Sequence, residues 1–357
     1  MSAEVDVQGS VVPRTRRGIP RWAKSVASGA LVLVLLGGVL PMVSHINWGD
    51  IRAALDVLSL KEILLLAVIW LMGLYAYSFV LTAAMPPLSR RRALTLNLTG
   101  SAVSNLVPCG GALGMGLNFA MTRAWGYSRA AFLLYTFVTN LWNILVKLSL
   151  PALALGLLVL SGDVAQPQLA TVALIAMATF VVLIGFVIGA LSSERVATLV
   201  GRGASALATL AMRIVRSRRS FDLTPAVLQL RNETIGLLRR GWAQLSLAMI
   251  AYSVLQALLL YSCLHMLGTS LTAYQIFAGY AVERALTVAV ITPGGAGLVE
   301  VGVTALLIAF GGDPAATVAG VLLYRAFTFG LEIPVGGAGL LVWLWSRRGS
   351  QPATAQD

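Results

Sequence analysis

Long apolar runs dominate this chain, and the polar positions that interrupt them mark out its elements. A helix needs roughly 17–25 predominantly apolar residues to cross a bilayer. Runs of that kind predict crossings over 28–44, 62–84, 130–160, 169–191, 241–267 and 315–345. Residues 93–124 and 276–310 are apolar too, but each is split by a glycine-rich break. The first break is Pro108-Cys109-Gly110-Gly111 and the second Pro293-Gly294-Gly295-Ala296-Gly297. Irregular backbone survives at membrane depth only where protein or a water-filled cavity surrounds it. Both stretches are therefore expected to be re-entrant helix hairpins. The piece 48–60 places Trp48, Ile51, Leu55 and Leu58 at helical spacing with Asp50, Arg52 and Asp56 between them, which suits a short helix in the outer interface.

Charge orients these elements. Of 26 Lys and Arg residues, 21 fall on the segments this arrangement puts in the cytoplasm, two (Arg52 and Lys61) on outer ones, and three (Lys147, Arg284 and Arg325) within apolar runs. That is the asymmetry of the positive-inside rule. It places both termini inside a multi-pass protein of the cell membrane. The resulting organisation is a basic tail (1–27), a first membrane repeat (28–160), an outer loop and span (161–191), a basic amphipathic cytoplasmic segment (192–240), the rest of a second repeat (241–346) and a short tail (347–357). Each repeat holds three full crossings and one hairpin, and three is odd, so the second repeat enters from the opposite side. This predicts an all-α polytopic protein with an inverted-topology repeat of about six spans and two hairpins. Pro108 and Pro293 are 185 residues apart, and Leu133-Leu134-Tyr135 recurs 189 residues later as Leu322-Leu323-Tyr324.

Composition agrees with a membrane home. The chain is 58% hydrophobic and 11% charged, with mean hydropathy +0.83, too few charges for the surface of a soluble domain of 357 residues. The net charge of +12 could signal nucleic acid, but the basic residues flank apolar runs, so no nucleic-acid partner is expected. Over 192–240 they alternate with apolar residues, which reads as an orientation signal with a solvated face or as a site for anionic lipid headgroups. No dinucleotide fingerprint, metal-spaced Cys/His set or Ser/His/Asp triad is present, so no cofactor or metal is expected. Cys109 and Cys263 lie in apolar surroundings and do not read as a disulfide; His45 and His265 fall near span ends.

The charges inside the membrane are few and balanced: Lys147, Arg284 and Arg325 against Glu283, Glu300 and Glu332. An unpaired charge at depth is expensive, so mutual pairing is expected. Arg325, Thr328 and Glu332 share one helical face, as do Thr136, Asn140, Asn143 and Lys147 on the helix after the first hairpin. The 189-residue offset superposes Thr136 on Arg325 and Asn143 on Glu332. Such faces belong inside a bundle, as interhelical glue or as a polar path. The half-helix that starts after Gly294-Gly295 is expected to offer free N–H groups to an anionic group.

The stretch ERALTVAVITPGGAGLVEVG at 283–302, followed by LLYRAFTFGLEIP, resembles the lysylphosphatidylglycerol synthase transmembrane-region family. This family includes stand-alone membrane proteins and the flippase half of bifunctional aminoacyl-phosphatidylglycerol synthase/flippases. Its pattern of a Glu-Arg pair, a Pro-Gly-Gly-x-Gly-x-x-Glu core and a later Tyr-Arg matches Glu283, Arg284, Pro293, Gly294, Gly295, Gly297, Glu300, Tyr324 and Arg325. The first break departs from the family's usual proline followed by an Arg/Gly-type turn, and Pro108, Gly110 and Gly111 are read as a hinge. Only twelve residues follow Trp345, so the soluble transferase domain of the bifunctional members is not expected.

The resulting expectation is a transporter and not an enzyme: a flippase-like translocator of a polar-headgroup phospholipid or lipid-linked intermediate. Thr287 and the family-pattern residues, with Glu332, Asn140, Asn143 and Lys147, would line its path. The alternatives are a membrane-embedded enzyme or accessory subunit of lipid or polyprenyl-linked glycan metabolism, and a non-transporting scaffold. The partners expected are a membrane phospholipid and either a second copy of the chain or a lipid-modifying enzyme.

Overall fold

A computed structural model of the chain describes residues 34–44, 47–106, 110–160, 167–214, 222–287 and 293–348. Among the described residues every regular element is a helix. In chain order they are α1 (π-helical Leu35–Val39 running into Leu40–Ser44), α2 (Trp48–Leu55), α3 (Leu60–Ala84), α4 (Arg90–Leu106), α5 (Gly110–Ala124), α6 (Arg129–Leu160), α7 (Pro167–Ser192), α8 (Glu194–Ile214), α9 (Thr224–Met266), α10 (Ala273–Leu286), α11 (Leu298–Ala309), α12 (Pro314–Arg325) and α13 (Glu332–Arg348). A single 3₁₀ turn, Pro293–Gly295, precedes α11, and a π-turn, Ala326–Gly330, joins α12 to α13.

Four of these units are long and apolar enough to cross a membrane: α3, α6, α9 and the joined α12–α13, Pro314–Arg347. Residues 177–192 and 194–210, bent by 104° between them, make a fifth if taken as one span. The chain is thus an all-helical, multi-pass membrane protein. Of the expected first span only 34–44 is described, and it is helical. Pro108, Cys109 and His45 lie outside the described residues, as do the N-terminal tail and residues 349–357.

Local chemistry sets the element ends. Ser59 and Glu62 form a capping box, with the Ser59 N–H donating to Glu62 Oε2 at 2.7 Å, so α3 begins two residues before the predicted 62. At the head of α12 Asp313 Oδ1 accepts from Ala316 N at 2.9 Å, and Pro314 stands at the first helical position. The predicted outer helix at 48–60 is shorter, ending at Leu55, with Ile51 buried and Trp48 exposed. The basic segment 192–240 is drawn differently from the sequence expectation. It comprises α8 and the first part of α9, which continues unbroken past Arg240 into the span. Gly236 and Gly241 lie within it, but a mid-helix glycine costs only about 1 kcal/mol against alanine and does not end a helix of 43 residues. At the start of α9, hydrogen bonds from the Thr224 hydroxyl and N–H hold the Asp222 carboxyl below its ordinary range.

Packing places both broken stretches at the centre. The longest contact in the bundle joins α3 to α9. It is built on Leu66, Trp70 and Leu74 against Leu259, Leu260 and Leu264, while Leu64, Leu65, Val68 and Leu71 of α3 face outward. The arms α4 and α5 fold back antiparallel. Gly100 meets Asn118, Gly114 meets Ser104 and Gly100, and Thr99 Oγ1 donates to Met121 Sδ at 3.4 Å. The arms α10 and α11 do the same, with Leu286 on Gly302 and Leu307 on Gly279. Each hairpin's first arm then packs on the helix that follows the other hairpin, α4 on α13 and α10 on α6. The two turns meet where Asn105 approaches Gly294.

The α4–α13 contact depends on Gly336, where a Cβ would strike the Leu98 carbonyl and lie 2.7 Å from the Ala102 methyl; at Gly337 nothing lies within 4 Å. Gly336→Val should therefore lower stability by about 1–3 kcal/mol, the usual cost of overpacking. Gly337→Ala, inside the same helix but in open space, should raise it by up to about 1 kcal/mol. Thermal unfolding of the two variants in detergent micelles is the check.

Candidate functional site

The second break is held by charges that converge from three helices. Glu283, Glu300 and Arg325 are 1%, 4% and 6% exposed. Arg325 Nε donates to Glu300 Oε1 at 2.7 Å, and Arg325 Nη2 donates to the Gly294 carbonyl at 2.9 Å. Arg325 Nη1 lies 3.8 Å from Glu283 Oε1, whose carboxylate is also held by its neighbour Arg284 through two hydrogen bonds. Among the described residues these are the only ion pairs within 4 Å, and together they are formally neutral. Buried charges survive only in such satisfied arrangements. Arg284 also lies over the Tyr280 ring and Arg325 over the Phe329 ring, at 5.5 and 5.0 Å.

The backbone at the break can be made only with glycine. Gly294, Gly295 and Gly297 have φ of 56°, 73° and 85°, where a side chain would be strained. The Gly297 N–H at the head of α11 donates to Glu300 Oε2 at 2.6 Å. The sequence pattern suggests an external anion at this helix start; the structure puts the chain's own Glu300 there, capping α11 and holding Arg325. Pairing of Arg325 with Glu332, seven residues on, is likewise not what forms. No ion pair joins them within 4 Å, because Glu300 and Glu283 occupy the guanidinium.

Beside this network lies a cavity of about 290 Å³. Arg284, Thr287, Gly294, Arg325 and Glu332 line it from the second half, and Asn143 and Lys147 from α6. Thr328 lines it too, so the Arg325–Thr328–Glu332 face persists through the π-turn. Lys147 has no ion pair within 4 Å among the described residues. A second cavity, again about 290 Å³, continues past Asn143 to Asn140, Thr136 and Gly111. Tyr77, Asn97, Ser101, Asn105 and Asn143 belong to both cavities, which together form one polar tract. Asn118 Oδ1 and Thr136 Oγ1, both at the second cavity, are buried without a hydrogen-bond partner among the described residues. Buried polar atoms of this kind are met by water or a polar ligand.

Not every expected site residue reaches the tract. Glu283 and Glu300 are buried behind the arginines, and Gly295 and Gly297 shape the turn. Tyr324 belongs to the apolar core, 1% exposed, its hydroxyl without a partner among the described residues. Gly110 packs against the Ser104 backbone, and only Gly111 of the described hinge residues lines a cavity. Sequence reasoning misses Asn97, Ser101 and Asn105, whose i, i+4, i+8 spacing on α4 is a usable signal. It also misses Tyr77, Tyr252 and Gln256, single polar residues in apolar runs. Asn143 Nδ2 donates to the Tyr77 hydroxyl at 3.0 Å, and Gln256 Nε2 donates to the Tyr252 hydroxyl at 3.1 Å. Among the described residues no three His, Cys, Asp or Glu side chains converge as metal ligands would.

Arg325→Ala would leave Glu300 buried and uncompensated, and breaking such a pair costs about 3–5 kcal/mol. The double variant Glu300→Gln/Arg325→Met should recover part of that loss. Unfolding midpoints of the wild type, Glu300→Gln, Arg325→Met and the double variant measure the coupling; a stable Arg325→Ala would show that the network does not hold the break.

No curated protein matches the chain. The family model described as Lysylphosphatidylglycerol synthase TM region matches residues 22–336, nearly the whole chain. That span includes the Glu283-Arg284 pair, the Pro293–Gly297 break, Glu300 and the Tyr324-Arg325 pair, the elements that build the charge network just described. On this match the chain belongs to the lysylphosphatidylglycerol synthase transmembrane-region family.

Proposed function

We propose that this protein is a lipid translocator, moving a phospholipid or lipid-linked intermediate with a polar headgroup between membrane leaflets. One observation carries the reading: a polar, charge-lined tract walled by both broken hairpins, inside a bundle whose outer surface is apolar. A tract of that kind would shelter a headgroup from hydrocarbon while acyl chains stay outside.

The hairpin arms support a re-entrant arrangement. Helices α4, α5, α10 and α11 have 17, 15, 14 and 12 residues. At 1.5 Å per residue none exceeds about 26 Å, against a hydrocarbon core of about 30 Å. The exchange of partners, α4 on α13 and α10 on α6, supports an inverted repeat with its site at the repeat interface. In this arrangement Lys147 meets the headgroup phosphate, Arg284 and Arg325 add fixed positive charge, and Glu332 takes a cationic group or a proton. The breaks act as hinges, with Arg325 and Glu300 latching the second one.

Orientation follows the basic residues, with both termini in the cytoplasm of a cell-membrane protein. Helix α8 leaves α7 at 104°, as a helix lying along the inner surface would. Its Arg195 and Arg202 share one side, suited to anionic headgroups, while Leu199, Leu207 and Leu210 are exposed beside them.

The test uses purified protein in vesicles containing a fluorescent phospholipid, with the outer leaflet bleached by an impermeant reductant. The wild type should accelerate loss of the protected fraction. Lys147→Gln and Glu332→Gln should each slow it about tenfold, one contact of about 1.4 kcal/mol in the transition state. A wild type no faster than empty vesicles would overturn the proposal. A chemically altered lipid found by mass spectrometry would favour a membrane-embedded enzyme instead.

A further inference from the structure

Beside the polar cavity, α6 and α9 enclose a space of opposite chemistry. A groove of about 400 Å³ is lined by Leu150 and Leu153 of α6, Val254, Ala257 and Leu258 of α9, and Phe277 of α10. Its serine hydroxyls are already engaged: Ser149 donates to the Val146 carbonyl and Ser253 to the Met249 carbonyl, both at 2.9 Å. Val254 and Leu258 are 59% and 43% exposed, so the groove opens at the outer surface of the bundle. In a membrane that surface meets hydrocarbon.

The groove and the polar cavity are lined by different residues of the same two helices. On α6, Asn143 and Lys147 face the cavity while Leu150 and Leu153 face the groove. On α9, Tyr252 and Gln256 face the cavity, and Val254, Ala257 and Leu258 the groove. A ligand filling both must be apolar at one end and polar at the other. Lys147 stands at this boundary without an ion pair among the described residues. Its position suits an anionic headgroup whose tail remains in the groove.

A second apolar groove, about 420 Å³, lies on the other side of α9, between Met72 and Phe79 of α3 and Leu247 and Leu255 of α9. Neither groove has a cation among its lining residues; Arg90 lies over the Phe79 ring of the second at 4.3 Å and donates to the Tyr75 hydroxyl. The Tyr77 and Tyr252 rings, 4.8 Å apart, stand between α3 and α9. Size and apolarity are therefore common to both grooves. What distinguishes the first is Lys147, which lines the polar cavity from α6 between Val146 and Ser149 of the groove wall.

We infer that the α6–α9 groove is an acyl-chain subsite, in which one hydrocarbon chain of a membrane phospholipid lies while its phosphate reaches Lys147. The inference rests on the translocator reading and deepens it, naming where the lipid enters and which side chain draws in its headgroup.

The experiment uses the full chain in phosphatidylcholine vesicles doped with phosphatidylglycerol carrying a mid-chain diazirine. Irradiation cross-links the chain to whatever it touches, and mass spectrometry locates the adducts. Adducts should concentrate at Leu150, Leu153, Val254 and Leu258 over Met72, Phe79 and Leu247. Lys147→Gln should cut labelling of the α6–α9 groove about tenfold, the loss of one charge-assisted contact, and leave the α3–α9 groove unchanged. Ala257→Trp, which fills the groove, should abolish labelling there alone. Equal labelling of both grooves, or indifference to Lys147→Gln, overturns the subsite. Selective labelling in vesicles that show no translocation would uphold the subsite and sink the translocator; translocation without selective labelling would do the reverse.

Discussion

The bidentate use of Glu300 is the interaction on which the rest of this structure depends. One carboxylate oxygen caps the start of α11 through Gly297 N–H and the other receives Arg325, which in turn holds the Gly294 carbonyl. A chain that breaks a helix inside a membrane exposes backbone groups that lipid cannot satisfy. Here a single Arg–Glu pair satisfies two of them, the Gly297 N–H and the Gly294 carbonyl, and neutralises itself. The remaining positive charge of Arg284 is met by Glu283. The break can therefore sit deep in the bundle at little electrostatic cost.

That solution also shapes the space beside it. Arg325 and Arg284 are fixed from behind by carboxylates and present their remaining faces to the cavity. The opposite wall is supplied by α4 and α6 of the first half, through Asn97, Ser101, Asn143 and Lys147. Neither half has a complete site. A relative movement of the two halves would open and close the tract without disturbing the latch, because both latch residues lie in the second half.

Much of this is legible in the amino-acid sequence. The rarity of charge in apolar runs singles out Glu283, Arg284, Glu300 and Arg325, and helical spacing places Asn143 and Lys147 on one face. Pairing partners are not legible. Spacing along one helix puts Arg325 near Glu332, whereas the hairpin brings Glu300 back from 25 residues earlier, a tertiary fact. The Asn97–Ser101–Asn105 face is present in the sequence, but small uncharged polar residues in a helical arm stand out far less than a buried charge. The unbroken run of α9 through Arg240 leaves no sequence mark, whereas the π-turn after Arg325 leaves one that is easily passed over: Pro334 has no N–H to offer the carbonyl of Gly330 at the end of the turn. The family resemblance, carried by the last third of the chain, extends across residues 22–336.

The proposed translocation requires a tract that opens alternately to each side, and thiol chemistry reads access directly. In a background with Cys109 and Cys263 replaced, Asn143→Cys should react with an impermeant maleimide added to either face of sealed vesicles. Val182→Cys, 70% exposed on the lipid side of α7 in the wild type, should react with neither. Protection of the Asn143→Cys thiol from both faces, or reaction from one face only, would contradict alternating access through this tract.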